Sequence, residues 1–250
     1  MLENKNSNVK KVIAVMSGKG GVGKSSVTSS VAVMLAKKGY KVGILDADLT
    51  GPSIPKMFGL NDEIAGGDEN GIYPVESKLG IKIISVNLLL PDKEEPVIWR
   101  GPIIASVIKQ FFQDVYWGEL DYLIIDMPPG TGDVPLTVFQ TVQVDGAVVV
   151  TSPQDLVSLI VKKSYNMAVK MNINIIGFVE NFSYLTCPDC GKKIEVFGKS
   201  NVEENVTALG LKLLSQLPIN QEYVKAADEG RYDEVENEYL KDTIEAIENV

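Results

Sequence analysis

A glycine-rich turn from Gly18 to Ser25 follows the apolar run Val12–Met16 and precedes a long segment of small and apolar residues. The run is typical of a buried strand, and the segment from Ser26 onward is typical of a helix. Glycines at this spacing let successive backbone N–H groups point at one anion, and the helix N-terminus adds the positive end of its dipole. The pattern G-x-x-x-x-G-K-[ST] in this setting therefore predicts a phosphate-binding loop.

The chemistry of the loop assigns a role to several of its residues. Lys24 is expected to reach the β- and γ-phosphates of ATP, and the Ser25 hydroxyl is expected to ligate Mg²⁺. Lys19 is a further cation within the loop; it is either a solvated charge or a second contact to the transferred phosphoryl group, in this subunit or a facing one. The predicted nucleotide-binding residues of the loop are Gly18, Gly20, Gly21, Val22, Gly23, Lys24, Ser25 and Ser26.

Strand-length apolar runs alternate with helical patterns along the rest of the chain. Near-continuous apolar strands are typical of a parallel sheet covered on both faces, and their alternation with helices indicates right-handed βαβ crossovers. We therefore predict an α/β fold, a doubly wound, mostly parallel sheet with helices on both faces, in one domain over 1–250 with a flexible start at 1–10. A surface loop is expected at Asn61–Gly71. The predicted strands are Lys11–Met16, Lys41–Leu45, Ile81–Val86, Tyr122–Ile125, Gly146–Thr151, Ile173–Glu180 and Lys212–Gln216. The predicted helices are Lys24–Lys38, Ile103–Trp117, Val134–Val142, Leu156–Lys170, Val202–Leu209 and Tyr239–Asn249.

Acidic residues follow two of these strands. Asp126 ends the run Tyr122–Ile125, and Asp46 and Asp48 follow the strand that ends at Leu45. Ligands of open α/β sheets bind beyond the carboxyl ends of the strands, so all three carboxylates are expected to face the phosphate loop. An aspartate that only caps a helix would explain any one of them, but three at one site favour a role around Mg²⁺ and the attacking water.

Composition narrows the classes of partner. The net charge is −9, which disfavours non-specific binding to DNA, RNA or anionic lipid, and no nucleic acid or membrane partner is expected. The first residues are polar, and no apolar run approaches membrane-spanning length, so we expect a cytoplasmic protein. The chain has no histidine, which excludes an imidazole as general base or metal ligand.

The two cysteines, Cys187 and Cys190, have the spacing of a metal-binding knuckle. They could be inert thiols, a redox dithiol or ligands of a metal or cluster. A redox motif usually opens a helix, whereas Gly191–Val196 looks like a turn into a short strand. A closed tetrahedral site needs four N/S ligands, so a site made only from this protein's thiolates must be shared between two chains.

Several segments together resemble one family of nucleotide-binding proteins. The loop Gly18–Ser25 resembles the deviant Walker A motif of the nitrogenase iron protein and MinD class. Five further segments resemble its Mrp/ApbC branch of iron–sulfur cluster carriers: Asp46–Pro55, Trp99–Pro102, Asp126–Asp133, Glu180–Tyr184 and Cys187–Gly191.

The resemblance implies a homodimeric, slowly hydrolysing ATPase that holds a [4Fe-4S] cluster between two subunits and transfers it to apoproteins. It implies that Lys19 contacts nucleotide across the dimer, that Asp48 is linked to the hydrolytic water and that Asp46 lies near Mg²⁺. It also implies that Asn181 recognises adenine and that Pro218 lines the base pocket. One departure is Asp228–Arg231, which lacks the proline that usually follows this element.

Three other functions stay open at this point. The first is a MinD- or ParA-like positioning ATPase, although the tail Glu234–Val250 is rich in Glu and its apolar stripe is better explained by packing on the domain. The second is a nucleotide-binding dimer bridged by zinc, which would fit the same four sulfurs. The third is a small-molecule ligase on the same fold, in which the cysteines would be incidental.

Overall fold

The phosphate loop sits on the central strand of a large, mostly parallel sheet. The computed structural model describes residues 7–48, 51, 53–69, 71–89, 101–153 and 157–250, without the side chains of 101–105 and 157–158. The strands are β1 Ser7–Ser17, β2 Val42–Asp46, β3 Gly67–Asp68, β4 Gly71–Ile72, β5 Val75–Glu76, β6 Lys82–Ile84, β7 Gly118–Asp126, β8 Gly146–Thr151, β9 Ile175–Thr186, β10 Lys193–Ile194 and β11 Leu213–Pro218.

Helices connect these strands. The α-helices are α1 Lys24–Lys37, α2 Ile54–Met57, α3 Gly101–Gln113, α4 Asp133–Thr141, α5 Val157–Lys170, α6 Val202–Thr207, α7 Gln221–Asp228 and α8 Lys241–Glu248. Short 3₁₀ turns lie at Val86–Leu88, Tyr232–Glu234 and Glu238–Leu240. No helix in the described part of the chain is both long enough and apolar enough to span a bilayer.

The parallel strands lie in the order β6-β2-β7-β1-β8-β9-β11, with β5 antiparallel to β6 and β10 antiparallel to the end of β9. The chain moves from β1 to β2 in one direction across the sheet and from β7 to β8 in the other. Right-handed crossovers therefore place α1 and α4 on opposite faces. Register aligns Asp126 of β7 with both Val15 of β1 and Asp46 of β2, so these carboxyl ends are level.

The core lies between the sheet and its helices. The central strands are buried on both faces, which explains their near-continuous apolar sequences. The tail helix α8 buries Ile244 and Ile247 against the domain, with Leu240 just before it. This agrees with the interpretation of the tail stripe as packing surface.

The predicted α/β fold is confirmed, and the structure corrects some boundaries. The helix expected at Ile103–Trp117 ends at Gln113, because Asp114 and Tyr116 instead exchange backbone hydrogen bonds with Ile72. The strand expected to stop at Glu180 continues to Thr186. The expected loop at Asn61–Gly71 contains the start of the small β3–β4 hairpin.

Two of the predictions concern residues next to segments that the structure does not describe. Ser7–Lys10, expected to be flexible, belong to β1 and pair with β7 from Ser7 opposite Gly118. Leu156, the expected first residue of a helix, lies outside the described residues, and α5 is described from Val157.

Candidate nucleotide site and cysteine hairpin

The phosphate loop links β1 to α1 with no side chain capping the helix. Gly23 occupies the N-cap position with a φ of 77°, and no side-chain hydrogen bond caps the first turn of α1. The backbone N–H groups of that turn are therefore available to an anion. Gly18 is required by space, because a Cβ there would lie 2.4 Å from Ile160 Cγ2 in α5.

A cavity of about 540 Å³ opens over this loop. It is lined by six of the predicted nucleotide-binding residues: Gly20, Gly21, Gly23, Lys24, Ser25 and Ser26. Gly18 and Val22 are not among the described residues that line it. Asp48 also lines the cavity, together with Lys56 and Asp228.

Lys24 and Asp126 form a buried ion pair at the base of the cavity. Lys24 Nζ lies 2.9 Å from Asp126 Oδ1 and 3.6 Å from Asp48 Oδ2. Asp126 also accepts hydrogen bonds from the Ser25 hydroxyl at 2.6 Å and the Thr28 hydroxyl at 2.7 Å. The side chain of Asp126 is fully buried, so these donors and the lysine charge offset its desolvation.

Asp46 is the second fully buried carboxyl group at this edge of the sheet. Burial raises the pKa of Asp46 well above its ordinary value, and the neighbouring charge of Asp126 raises it further. Its side chain accepts hydrogen bonds from the Ser85 hydroxyl at 3.1 Å and from the backbone N–H of Asp48 at 3.2 Å. Two buried carboxyl groups side by side form a site that favours a cation.

The donors present fit Mg²⁺ and a polyphosphate. A hydroxyl on Ser25 and carboxylates on Asp126, Asp46 and Asp48 are oxygen ligands of the kind that Mg²⁺ accepts, directly or through water. The uncapped helix, the glycine backbone and Lys24 supply the positive potential that phosphates need. The three acids and the loop thus converge as the parallel topology predicted.

Lys19 is half-buried beside this cavity rather than among the described residues that line it. Its backbone carbonyl accepts a hydrogen bond of 2.9 Å from the Ser17 hydroxyl, which fixes the start of the loop. The two interpretations of the Lys19 charge therefore both stay predictions.

Asn181 contacts the phosphate loop from β9. Its side-chain amide donates a hydrogen bond of 3.0 Å to the Val22 carbonyl, and a Cβ on Gly23 would lie 2.2 Å from that amide nitrogen. Strand β9 is irregular here: Glu180 pairs with Gln216 and Tyr184 pairs with Pro218, with extra residues between them on β9 only. Phe182, inside this bulge, has a left-handed φ of 58°. Pro218 thus lies at the end of β11 next to the bulge, outside the described lining of the phosphate cavity.

The cysteines lie on an exposed hairpin that begins where β9 ends. Cys187 follows Thr186, and a tight turn closes with the Gly191 N–H donating to the Cys187 carbonyl at 2.9 Å. Both cysteines are free thiols, Cys187 partly exposed and Cys190 exposed. Backbone N–H groups of Cys190 and Asp189 point at the Cys187 sulfur and lower the pKa of that thiol. The predicted turn into a short strand is present as β10, which pairs with the end of β9.

The two thiols have few potential co-ligands near them within one chain. Among the described residues, no further Cys, Asp or Glu side chain joins the two thiols in a group arranged to hold a metal ion. Exposed apolar side chains follow the cysteines on the same hairpin: Ile194, Val196 and Phe197 are 44%, 51% and 46% exposed. A closed thiolate site would therefore need ligands from outside this chain.

Parts of two resembling segments, the residues Leu49, Thr50, Pro52, Trp99 and Arg100, lie outside the described residues. Sequence reasoning also missed some polar contacts of the site. Thr28 follows Ser25 by one helical turn, so its spacing could have suggested that it shares a partner with Ser25. Ser85 comes directly after β6, next to β2 in the sheet, but only the strand order brings it to Asp46. No local sequence pattern indicated that Lys56 would line the cavity.

Comparison with known proteins places this geometry in a family. A family described as NUBPL iron-transfer P-loop NTPases, of the ParA group, matches residues 8–250. An iron-sulfur cluster carrier protein of Clostridium perfringens is 53% identical over 91% of this chain and 82% of its own length. One from Methanocaldococcus jannaschii is 48% identical over 90% of this chain and 78% of its own length.

Solved structures agree with the fold. A nucleotide-binding protein of Archaeoglobus fulgidus, in complex with ADP and with cobalt found in it, is 44% identical and superposes with a TM-score of 0.84 over 93% of this chain and 91% of its own. MinD of Aquifex aeolicus shares the fold, with a TM-score of 0.65 at 20% identity over 96% of this chain and 95% of its own. The chain belongs to the family of NUBPL iron-transfer P-loop NTPases.

Proposed function

We propose that this protein is an ATP-dependent carrier that holds a [4Fe-4S] cluster between two copies of the chain and delivers it to apoproteins. The observation that carries the proposal is the placement of Cys187 and Cys190 directly after strand β9, which also contacts the phosphate loop through Asn181. The relatives named as iron-sulfur cluster carriers support the same function.

On the nucleotide side, the loop Gly18–Ser25 binds the phosphates through its backbone N–H groups, and Lys24 turns from Asp126 to the terminal phosphates. Ser25, Asp126 and Asp46 hold Mg²⁺, which neutralises charge on the phosphates when it is bound. Asp48, which lines the cavity, orients the attacking water. Asn181 and Pro218 border the adenine, and Lys19 reaches the nucleotide of the facing subunit.

Hydrolysis by this arrangement is slow. Asp126 is buried in an ion pair with Lys24, and Asp46 is buried against the Ser85 hydroxyl. The chain also has no histidine to act as a base. A slow step suits a protein whose nucleotide states serve to time binding and release of a cargo rather than to turn over substrate.

The cluster is the cargo, and it requires two chains. Each chain contributes two thiolates, and a two-fold axis brings the four together. The N–H groups that point at Cys187 favour its thiolate, the form that binds metal. The exposed Ile194, Val196 and Phe197 next to the cysteines are the surface that the second copy covers.

A cluster held on an exposed hairpin at the edge of the fold is accessible to a recipient. Recipient apoproteins offer thiolates that replace those of the carrier by ligand exchange. Such free thiolates persist where the surroundings are reducing, so we place this protein in the cytoplasm.

Anaerobic reconstitution with iron and sulfide tests the proposal. The intact protein should take up about four Fe per dimer, with the visible absorption of a [4Fe-4S] cluster, and should elute as a dimer. Cys187→Ala should lose the cluster and the dimer, whereas Lys192→Ala, on the same exposed hairpin, should keep both.

Three results would decide against the carrier. Cluster uptake that survives Cys187→Ala would remove the role of the cysteines. Zinc bound at one ion per dimer with no cluster under the same conditions would favour a zinc-bridged dimer. Failure to transfer the cluster to an apo-ferredoxin in the presence of Mg-ATP would leave storage without delivery.

A further inference from the structure

Glu180 is a buried carboxylate to which neither the nucleotide site nor the cysteine pair assigns a role. It is fully buried in β9 and accepts hydrogen bonds from the Ser183 and Ser200 hydroxyls and, at 2.7 Å, from the Gln216 side-chain amide. Within the described residues, no lysine or arginine forms an ion pair with it. Burying a carboxylate is costly unless donors satisfy it, so three converging neutral donors indicate a residue that fixes local geometry.

The three donors come from different parts of the fold. Ser183 lies in the same strand, and Gln216 lies in the neighbouring strand β11. Ser200 closes the cysteine hairpin, just before α6, and its hydroxyl also accepts a hydrogen bond of 3.2 Å from the Val202 N–H. Glu180 therefore holds the returning end of the hairpin against the strand from which the hairpin leaves.

Both ends of the hairpin thus depend on one residue. Its leaving end is the last part of β9, residues 180–186, which continues directly into Cys187. Its returning end is held at Ser200. Residues 188–199, between these ends, are exposed. Within them β10 pairs with Leu185 and Thr186 at the end of β9, so the hairpin follows the path of that strand.

The phosphate loop contacts the very next residue. Asn181 donates to the Val22 carbonyl, and Gly23 packs so closely on Asn181 that it leaves no space for a Cβ. Phe182, whose ring also borders Gly23, is held in a left-handed conformation that non-glycine residues rarely adopt. A change in the loop when phosphate binds would therefore press on the side chains of Asn181 and Phe182, which directly follow Glu180 in β9.

We propose that Glu180 is a positioning residue that couples the state of the phosphate loop to the cysteine hairpin through its hydrogen bond with Ser200. The proposal deepens the carrier function and rests on it for its biological meaning. The coupling itself belongs to the protein without metal and requires no cluster.

The experiment measures alkylation of Cys187 and Cys190 by iodoacetamide in reduced, metal-free protein, with and without saturating Mg-ADP. Mass spectrometry separates the two sites. In the unaltered protein, Mg-ADP should change the alkylation rate by roughly fivefold or more, the lower end of usual coupling between sites.

Two matched variants isolate the link, since each removes one hydroxyl donor from Glu180. Ser200→Ala disconnects the hairpin and should make alkylation independent of Mg-ADP. Ser183→Ala leaves the hairpin connected and should keep the dependence. Binding of Mg-ADP by calorimetry and the melting temperature of each variant check that the nucleotide site and the fold are intact.

A second variant, Glu180→Gln, keeps the shape of the side chain and guards against a misfolded Ser200→Ala protein. It replaces the carboxylate to which Ser183 and Ser200 both donate. Alkylation of the thiols should therefore become independent of Mg-ADP, although the variant still binds Mg-ADP. If the Glu180→Gln protein regains the dependence of alkylation on Mg-ADP when the temperature is lowered, its defect is a loss of folded structure. That result would assign Glu180 a structural role only and overturn the proposal.

The remaining outcomes are also decisive. Equal loss of dependence in Ser200→Ala and Ser183→Ala, or unchanged dependence in Ser200→Ala, would refute the link through Ser200. An alkylation rate that Mg-ADP does not change in the unaltered protein would refute the coupling as a whole. Nucleotide-sensitive thiols in a protein that holds no cluster would instead refute the carrier function and leave the coupling standing.

Discussion

The ammonium group of Lys24 lies 2.9 Å from the carboxylate of Asp126, so the lysine that should bind phosphate is paired with the residue that should bind metal. Both side chains are almost fully buried, with exposed fractions of 6% and 0%. The protein without nucleotide therefore balances its own charges at the site, and a nucleotide must exchange this ion pair for contacts to phosphate and Mg²⁺.

Replacing Asp126 with Asn should release Lys24 for phosphate. We expect Asp126→Asn to bind ADP in EDTA roughly tenfold more tightly than the unaltered protein, a gain of about 1.4 kcal/mol. The same variant should lose the further gain that Mg²⁺ gives the unaltered protein, and should lose ATP hydrolysis. Calorimetric titrations in EDTA and in Mg²⁺ measure both effects.

Asp48→Asn is the control for this prediction, because Asp48 lies farther from Lys24 Nζ, at 3.6 Å, and is less buried. Its effect on ADP binding in EDTA should be smaller. Weaker binding of ADP by Asp126→Asn in EDTA would show that the ion pair does not compete with phosphate.

The raised pKa of Asp46 predicts how stability depends on pH in the metal-free protein. Burial and the charge of Asp126 raise this pKa above its ordinary value of 3.8, so between 3.8 and the raised pKa the folded state binds more protons than the unfolded state. The free energy of unfolding should therefore fall as pH rises through that window, and the loss should persist at neutral pH. Asp46→Asn removes this loss and should raise the melting temperature at pH 7 in EDTA.

The gain from Asp46→Asn should shrink as the pH is lowered toward 4, since the carboxyl group of the unaltered protein is then protonated as well. Each kcal/mol would appear as roughly 2–4 °C in a chain of this size. In excess Mg-ADP the unaltered protein should instead have the higher melting temperature, because the metal needs the carboxylate of Asp46. A stability difference that does not vary with pH would contradict this account.

Backbone donors near Cys187 predict an unusually acidic thiol. The N–H groups of Cys190 and Asp189 lower the pKa of Cys187 from its ordinary value of 9.0. In Cys190→Ala these N–H groups remain, so most of the lowering should remain, and the alkylation rate of Cys187 against pH should show a midpoint below 9.0. The same protein in guanidinium chloride should return to the ordinary value; identical midpoints in both conditions would exclude a role for the turn.

Two glycines of the phosphate loop should respond differently to alanine. A Cβ on Gly18 would meet Ile160 Cγ2 at 2.4 Å and Ser164 Oγ at 2.8 Å, whereas the nearest atom to a Cβ on Gly20 is 3.8 Å away. Gly18→Ala should therefore cost about 1–3 kcal/mol of stability by forcing α5 from the loop. Gly20→Ala should leave the melting temperature nearly unchanged, and equal losses in the two variants would point to backbone flexibility instead of packing.

The parts of the site that follow from local pattern were predictable from the sequence. The phosphate loop needs only a strand, its glycines and a helix, and Asp46 and Asp126 mark the ends of their own strands. Parallel strands place such ends at one edge whatever their order, so their convergence required no knowledge of contacts.

What depends on contacts between distant segments was not predictable. The end of α3 at Gln113 depends on a pairing of Ile72 with residues after the helix. Strand β9 continues past Glu180 because its later residues pair with β11 and β10. Donors from β11 and from beyond the cysteines satisfy the buried Glu180 carboxylate. A polar residue in an apolar run was thus an unreliable sign of a strand end.

The order of the strands also has a consequence for synthesis of the protein. Strand β11, which supplies Gln216 to Glu180 and pairs with β9, follows the cysteines in the chain. A growing polypeptide therefore presents Cys187 and Cys190 before it contains the strand that completes the base of their hairpin. The thiols therefore reach their native arrangement only late in translation. A shorter nascent chain that captured metal would bind it with thiols that the finished fold has not yet positioned.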